Sequence, residues 1–230
     1  MVDSENLLLQ SIAWDQDPDQ VQTLLSHGAD ANSPDQEGRT PVMWAAMSGS
    51  PEILAVLLGF NADVNAKARD QRTALHVAAF SGYLAIVQML VKKGASINAV
   101  DEEGVTPLMD ASKDGHLEVM RLLLDGGADI NTRDREGRTA LVWAVTRSDS
   151  LEAIDYLVKA GGDVNAATLQ QETPLMRAVL LGHRGKVEIL LAAGAAPQAE
   201  NMRGETALDI ARNAGHADII YLLQKTRDQA

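Results

Sequence analysis

No cysteine occurs among the 230 residues, so disulfides, thiolate nucleophiles and cysteine-ligated zinc are excluded. Aromatic residues make up 3% of the chain against 46% hydrophobic, so the core must be built from aliphatic side chains and alanine. Such a core suits closely packed helices better than sheet. No apolar run approaches the roughly 18–20 residues that cross a bilayer. Positive charge is missing at the start: residues 1–35 hold Asp3, Glu5, Asp15, Asp17, Asp19, Asp30 and Asp35 and neither lysine nor arginine. Net charge is −12, which argues against a nucleic-acid backbone or an anionic membrane as partner. The opening MVDSENLLLQ lacks the basic region of a signal peptide. A soluble cytoplasmic protein is expected, with a mature secreted form left open.

What the chain does have is a period. Thr40, Thr73, Thr106, Thr139, Thr173 and Thr206 are spaced by 33, 33, 33, 34 and 33 residues. Asn32, Asn65, Asn98, Asn131 and Asn165 form a second comb with the same step. Each unit reads Thr–Pro/Ala–Leu–x–x–Ala, usually a Gly, then a second apolar stretch such as Leu117–Asn131. The spacing predicts two short antiparallel helices and an extended turn. Thr caps the first helix, and Pro is tolerated at its first position because that N–H is unpaired anyway. Gly49, Gly82, Gly115, Gly182 and Gly215 are placed to supply the left-handed residue that ends it. Val119, Leu122 and Leu123 are the expected inner face of one second helix.

This pattern resembles the ankyrin repeat, whose 33-residue period carries a T-P-L-H-x-A core; Thr73–Asn98, TALHVAAFSGYLAIVQMLVKKGASIN, is the best copy. The resemblance implies an all-α solenoid of stacked helix-turn-helix units joined by β-hairpin-like turns. The expected units are 5–34 as N-terminal cap, 35–67, 68–100, 101–133, 134–167, 168–200 and 201–228 as C-terminal cap, in one domain over 1–230. It also implies that His76, His116, His183 and His216 hydrogen-bond neighbouring repeats together.

Catalysis is not expected. DQDPDQ (Asp15–Gln20) spaces three carboxylates as a calcium loop does, but Gln20 stands where Gly is needed and Ser26 where a bidentate Glu is needed. GHRGK (Gly182–Lys186) is too short for a phosphate loop, and Val187 replaces its Ser or Thr. The histidines recur with the frame, too far apart to cluster. No catalytic, cofactor or metal residue is assigned.

Counting from Thr at 100° per residue, positions +2, +5 and +6 of the first helix fall on one side, and +4, +7 and +8 on the other. Ala45, Ala78, Ala111, Ala144, Ala178 and Ala211 occupy +5 without exception. The +4 series varies freely: Trp44, Val77, Asp110, Trp143, Arg177 and Ile210. At +7 stand Met47, Phe80, Lys113, Thr146, Leu180 and Asn213, with Trp14 in the same register of the first unit; Arg147 and Leu181 stand at +8. In ankyrin repeats this face and the hairpin tips line a concave groove that meets protein partners. The candidate partner-binding residues are therefore Trp14, Trp44, Met47, Val77, Phe80, Asp110, Lys113, Trp143, Arg147, Arg177, Leu180 and Leu181. Trp143 and Arg147, four apart, are placed for a cation–π contact. Two readings stay open for Trp44 and Trp143, which serve either as groove anchors or in packing between repeats; Leu180 and Leu181 are either exposed or covered near Met202.

The frame breaks in places. Gln71 and Gln171 replace the hairpin glycine, Ser148–Asp149–Ser150 replaces a Gly-His turn with one extra residue, and Arg184–Gly185 opens a second helix irregularly. Residues 146–186 are the expected loosest zone. The expected function is a non-enzymatic module binding a protein partner of unspecified identity, as a monomer rather than a homo-oligomer and without cofactor. The alternative is a structural, self-associating protein that uses the same strip.

Overall fold

Each comb threonine closes an extended stretch and opens a helix. The computed structural model describes residues 4–227. The leading helices are α1 (Ser4–Gln10), α3 (Pro41–Ser48), α5 (Ala74–Ser81), α7 (Pro107–Lys113), α9 (Ala140–Arg147), α11 (Pro174–Leu180) and α13 (Ala207–Ala214). Each is followed by a second helix: α2 (Pro18–Ser26), α4 (Pro51–Gly59), α6 (Leu84–Lys92), α8 (Leu117–Asp125), α10 (Leu151–Lys159), α12 (Arg184–Ala192) and α14 (Ala217–Arg227). A π-helical turn, Ser11–Asp15, extends α1. The chain forms two compact units, Met1–Ala111 with Glu118–Ala128 and Ser112–Leu117 with Asp129–Ala230. No helix among the described residues is long and apolar enough to cross a membrane.

The hydroxyls of Thr106, Thr139, Thr173 and Thr206 accept the backbone N–H three residues on, at 3.3–3.4 Å. That satisfies one of the orphan donors at each helix start. Thr40 breaks the rule: its hydroxyl is buried without a hydrogen-bond partner. Gly49, Gly82, Gly115, Gly182 and Gly215 all sit at φ between +71° and +75°. Val42, Leu75, Leu108, Leu141 and Leu175 are buried, together with all six of the +5 alanines. On α8 the buried residues are Val119, Met120 and Leu123, while Leu122, expected inside, is only half-buried.

The asparagine comb stitches one unit to the next. Asn65 accepts the backbone N–H of Ser96 at 2.8 Å and donates to the Gly94 carbonyl at 3.1 Å. Asn165 repeats both bonds, with Ala196 N–H and the Gly194 carbonyl, and Asn131 makes them with Asp163 and Gly161. A short amide that is donor and acceptor at once is what such a double bond needs, which explains a recurrence the sequence displays without a reason.

Among the described residues there is no strand; the connections are turns. Each tip closes on itself, as when Asp35 N–H donates to the Arg39 carbonyl at 2.9 Å. Successive tips are bonded too: Arg69 N–H to Glu37, Glu102 N–H to Asp70, Leu169 N–H to Glu136 and Met202 N–H to Gln170. Gln71 and Gln171 adopt φ of +65° and +57°, where Gly38, Gly104, Gly137 and Gly204 stand in the other tips. A side chain in that left-handed region costs about 1–2 kcal/mol, part of which glycine's extra freedom in the unfolded chain takes back. Gln71→Gly and Gln171→Gly should each raise stability by about 0.5–1 kcal/mol, read from urea midpoints. A loss of stability in both would contradict the strain.

The irregular stretch after α9 is bonded in its own way. Ser148 takes an extended backbone in place of the left-handed glycine, its hydroxyl accepts Ser150 N–H, and the Ser150 hydroxyl caps α10 through Ala153 N–H at 3.1 Å. Without that glycine the Val145 carbonyl loses its usual N–H partner. Lys186, buried in α12 where Ile53, Ile86 and Ile219 stand in other units, donates to it from Nζ at 2.9 Å. Burial pushes the Lys186 amine below the ordinary lysine range, with the nearby Asp149 carboxylate acting against it.

Candidate partner-binding face

The variable +4 slot is wired to the base of the hairpin. The Asp35 carboxylate accepts the backbone N–H groups of Glu37 and Arg39, the Arg39 guanidinium at 2.9 Å and the Trp44 indole N–H at 3.1 Å. The guanidinium also lies over the indole, 4.7 Å from its centre. Asp134, Arg138 and Trp143 repeat the arrangement: Nε of Arg138 and Nε1 of Trp143 reach one carboxylate oxygen at 2.8 and 3.0 Å. Arg138 lies 4.0 Å and the Lys113 ammonium 4.4 Å from the Trp143 ring. The cations on Trp143 are thus Arg138 and Lys113, which corrects the expected Arg147 pairing: a guanidinium held by Asp134 is already fixed over the ring.

Where the Asp–Arg–Trp set is incomplete, other residues substitute. The 68–100 unit has Ala68 and Val77 in the outer two places, so Arg72 bonds instead to Asp101 at 3.4 Å and Asp110 at 2.7 Å of the following unit. Asp110 is therefore buried and ion-paired, not presented to a partner as expected. Arg177 pairs at 3.0 Å with Glu172 of its own repeat, which stands where Arg39 and Arg138 stand in theirs. Trp44, Trp143, Val77 and Arg177 are all half-buried, so +4 does not point freely outward. The sequence held a signal for this wiring: DQEGRTPVMW and DREGRTALVW, at 35–44 and 134–143, share Asp, Arg and Trp at one spacing.

His76 joins units as expected. Its Nδ1 accepts from the Thr73 N–H and hydroxyl at 3.2 and 2.9 Å, so Nε2 carries the proton and donates to the Val105 carbonyl at 3.0 Å. Burial holds its pKa below the ordinary 6.5, outweighing the opposing pull of Asp110 and of the Val105 carbonyl. The unfolded chain therefore takes up a proton near pH 6.5 that the folded chain refuses. This contribution to stability is intact above pH 6.5 and is lost as pH falls, by at most about 1.4 kcal/mol per pH unit. His76→Met, which installs the residue found at Met43, Met109 and Met176, should flatten the stability profile between about pH 7.5 and 5.5. An unchanged slope in urea titrations would assign the pH dependence elsewhere.

Large apolar residues stand exposed at +7 and +8, as Phe60, Tyr83, Val100, Leu151 and Tyr221 do elsewhere. Trp14 is 80% exposed, Met47 40% and Phe80 45%, and the π turn, α3 and α5 that carry them pack in sequence. In the second unit Leu180 and Leu181 are 50% and 43% exposed and Met202 73%, so the hairpin near Met202 does not cover them. Leu180 lines an open cleft of ≈ 340 Å³ with Arg203, Glu205, Ile210, Asn213 and Ala214. Lys113 is half-buried and Arg147 exposed. Leu169 and Met202, exposed at matching hairpin tips, were not among the expected binding residues; Gln36, Arg69, Glu102 and Arg135 fill the same tip position elsewhere. Asp17 caps α2 by accepting the N–H groups of Asp19 and Gln20, which gives the acidic DQDPDQ stretch a structural role. No group of three potential metal ligands occurs among the described residues.

The family model described as ankyrin repeats, in three copies, matches residues 9–101 and 94–168. The chain is 35% identical over 88 residues to the human protein named palmitoyltransferase ZDHHC17, covering 38% of this chain and 14% of that protein. The Danio rerio protein of that name is 34% identical over 88 residues, again 38% and 14%. Protein lin-12 of Caenorhabditis elegans is 35% identical over 95 residues, covering 38% of this chain and 7% of that protein. The chain thus aligns with a small part of each relative, and the acyl transfer in the first two names is said of those whole proteins.

Proposed function

Because the chain belongs to the ankyrin repeat family, whose repeats are generally protein–protein interaction modules, we propose that it is a non-enzymatic module holding a protein partner on the face formed by +7 and +8 and on the hairpin tips. In the first compact unit the anchors are Trp14, Met47 and Phe80, with Val77 and the Arg39–Trp44 pair beside them. In the second compact unit, Leu180 and Leu181 supply apolar area and Lys113 and Arg147 polar contacts, beside Trp143 and Arg177, which are held by Asp134 and Glu172. One observation carries this reading: large apolar side chains stand exposed at one register of successive leading helices, while the same helices bury their alanines. Aromatic and methionine side chains in that position are what interface hot spots favour, and clustered apolar exposure marks interaction sites.

The test is capture of a protein from lysate by the unaltered chain and by a Met47→Asp, Phe80→Asp variant, with circular dichroism confirming both folds. Both positions are exposed, so the variant should fold and lose the partner. Equal capture by the two would remove the first-unit strip from the site.

A further inference from the structure

The charge of the first compact unit, Met1–Ala111 with Glu118–Ala128, says what kind of partner its strip accepts. That unit holds seven lysines and arginines against seventeen aspartates and glutamates, while the second holds thirteen against fifteen. Two of those seven cations are tied up by the fold, while Lys67 and Arg69 stay exposed. Arg39 is tied to Asp35 and Trp44, and Arg72 to Asp101 and Asp110. Lys92 and Lys93 line a different cleft, among Ala55, Leu58 and Met89 of the second helices. The carboxylates are left facing water. Asp15, Asp17 and Asp19 flank Trp14, and Glu37, Asp70, Glu102 and Glu103 stand exposed at the tips. Glu37, Asp70 and Glu102 line one open cleft of ≈ 350 Å³, with Arg69 and the already bonded Arg39.

Resting on the strip as the partner-binding face, we infer that the first unit takes a basic protein segment, one that sets an aromatic or aliphatic anchor on Met47 and Phe80 and lysines or arginines against the tip carboxylates and the Trp14 ring. An exposed indole among carboxylates favours a cation on its face. A second copy of this chain would bring the same negative face to it, and like charge opposed across an interface is penalised.

The test selects a phage-displayed library of random linear peptides on the immobilised full chain, then screens clones against the Met47→Asp, Phe80→Asp variant. Clones that lose binding to the variant should be net positive with an apolar anchor. Their affinity should fall at least about tenfold from about 50 to about 500 mM NaCl, and similarly on Glu102→Lys, Glu103→Lys in the chain. Strip-dependent clones that are neutral or acidic, or indifferent to salt and to the charge reversals, overturn the basic-partner inference and leave the strip standing. A selection yielding no strip-dependent clone overturns both. Sedimentation showing a self-association abolished by Phe80→Asp assigns the strip to a second copy and overturns the inference as well.

Discussion

Asp134→Ala should destabilise the chain by about 3 kcal/mol, because removing one partner of a buried, hydrogen-bonded ion pair strands the other. The Asp134 side chain is fully buried and accepts four donors: the N–H groups of Glu136 and Arg138, the Arg138 guanidinium and the Trp143 indole. Alanine leaves all four unanswered. Arg138 is partly exposed and recovers some hydration, so the lower end of the range applies. The twin Asp35→Ala should cost less, about 1–2 kcal/mol, because Asp35 and Arg39 are both more exposed than their counterparts. Burial pushes the Asp35 carboxyl up, but the Arg39 and Glu37 N–H groups and the Arg39 guanidinium together hold it below the usual value. Its contribution is thus present above the unfolded value near 3.8 and is lost as pH falls through the lower folded value. Urea unfolding of both variants at neutral pH, with tryptophan emission as the signal, makes the comparison. A loss below about 1 kcal/mol for Asp134→Ala would mean that the clasp does not hold the hairpin.

Gly115→Ala should cost about 3 kcal/mol, and Gly215→Ala only about 1 kcal/mol, although both glycines cap a leading helix. Their backbones are alike, at φ +72° and +75°. Their surroundings are not. A Cβ on Gly115 would lie 2.8 Å from the Cβ of Ser150 and 3.5 Å from that of Ala153, whereas nothing stands within 4 Å of one on Gly215. Atoms so close to the main chain cannot swing aside, so the Ser148–Ser150 turn and the cap of α10 must move with them. Equal losses in the two variants would show that only the backbone conformation matters at Gly115.

The two combs made the fold readable. Thr and Gly recur because helix caps need them, and the buried +2 and +5 residues recur because helices pack closely there. Patterns set by local geometry repeat in sequence, so the leading and second helices fell where the spacing placed them. The role of the +4 slot was hidden for the opposite reason. Its occupants answer partners at the hairpin base, and those partners change from unit to unit: Asp35 for Trp44, Arg72 for Asp110, Glu172 for Arg177. Read alone, such a column looks unconstrained. Lys186 was hidden likewise, since its reason lies in the glycine replaced by Ser148 and in the Val145 carbonyl, 41 residues away in sequence. The exposed +7 residues were legible because helical periodicity alone separates them from the alanine face.

On our proposal, +7 recognises a partner while +4 braces the hairpin. The most direct measurement is the affinity of a captured partner for the intact chain, for Trp44→Phe and for Phe80→Ala. Trp44→Phe removes the indole N–H bonded to Asp35 yet keeps an aromatic ring, so stability should fall while affinity changes less than about threefold. Phe80→Ala should leave the fold intact and weaken binding by at least about tenfold. A partner that tolerates Phe80→Ala and is lost with Trp44→Phe would place recognition on the braced slot instead of on +7.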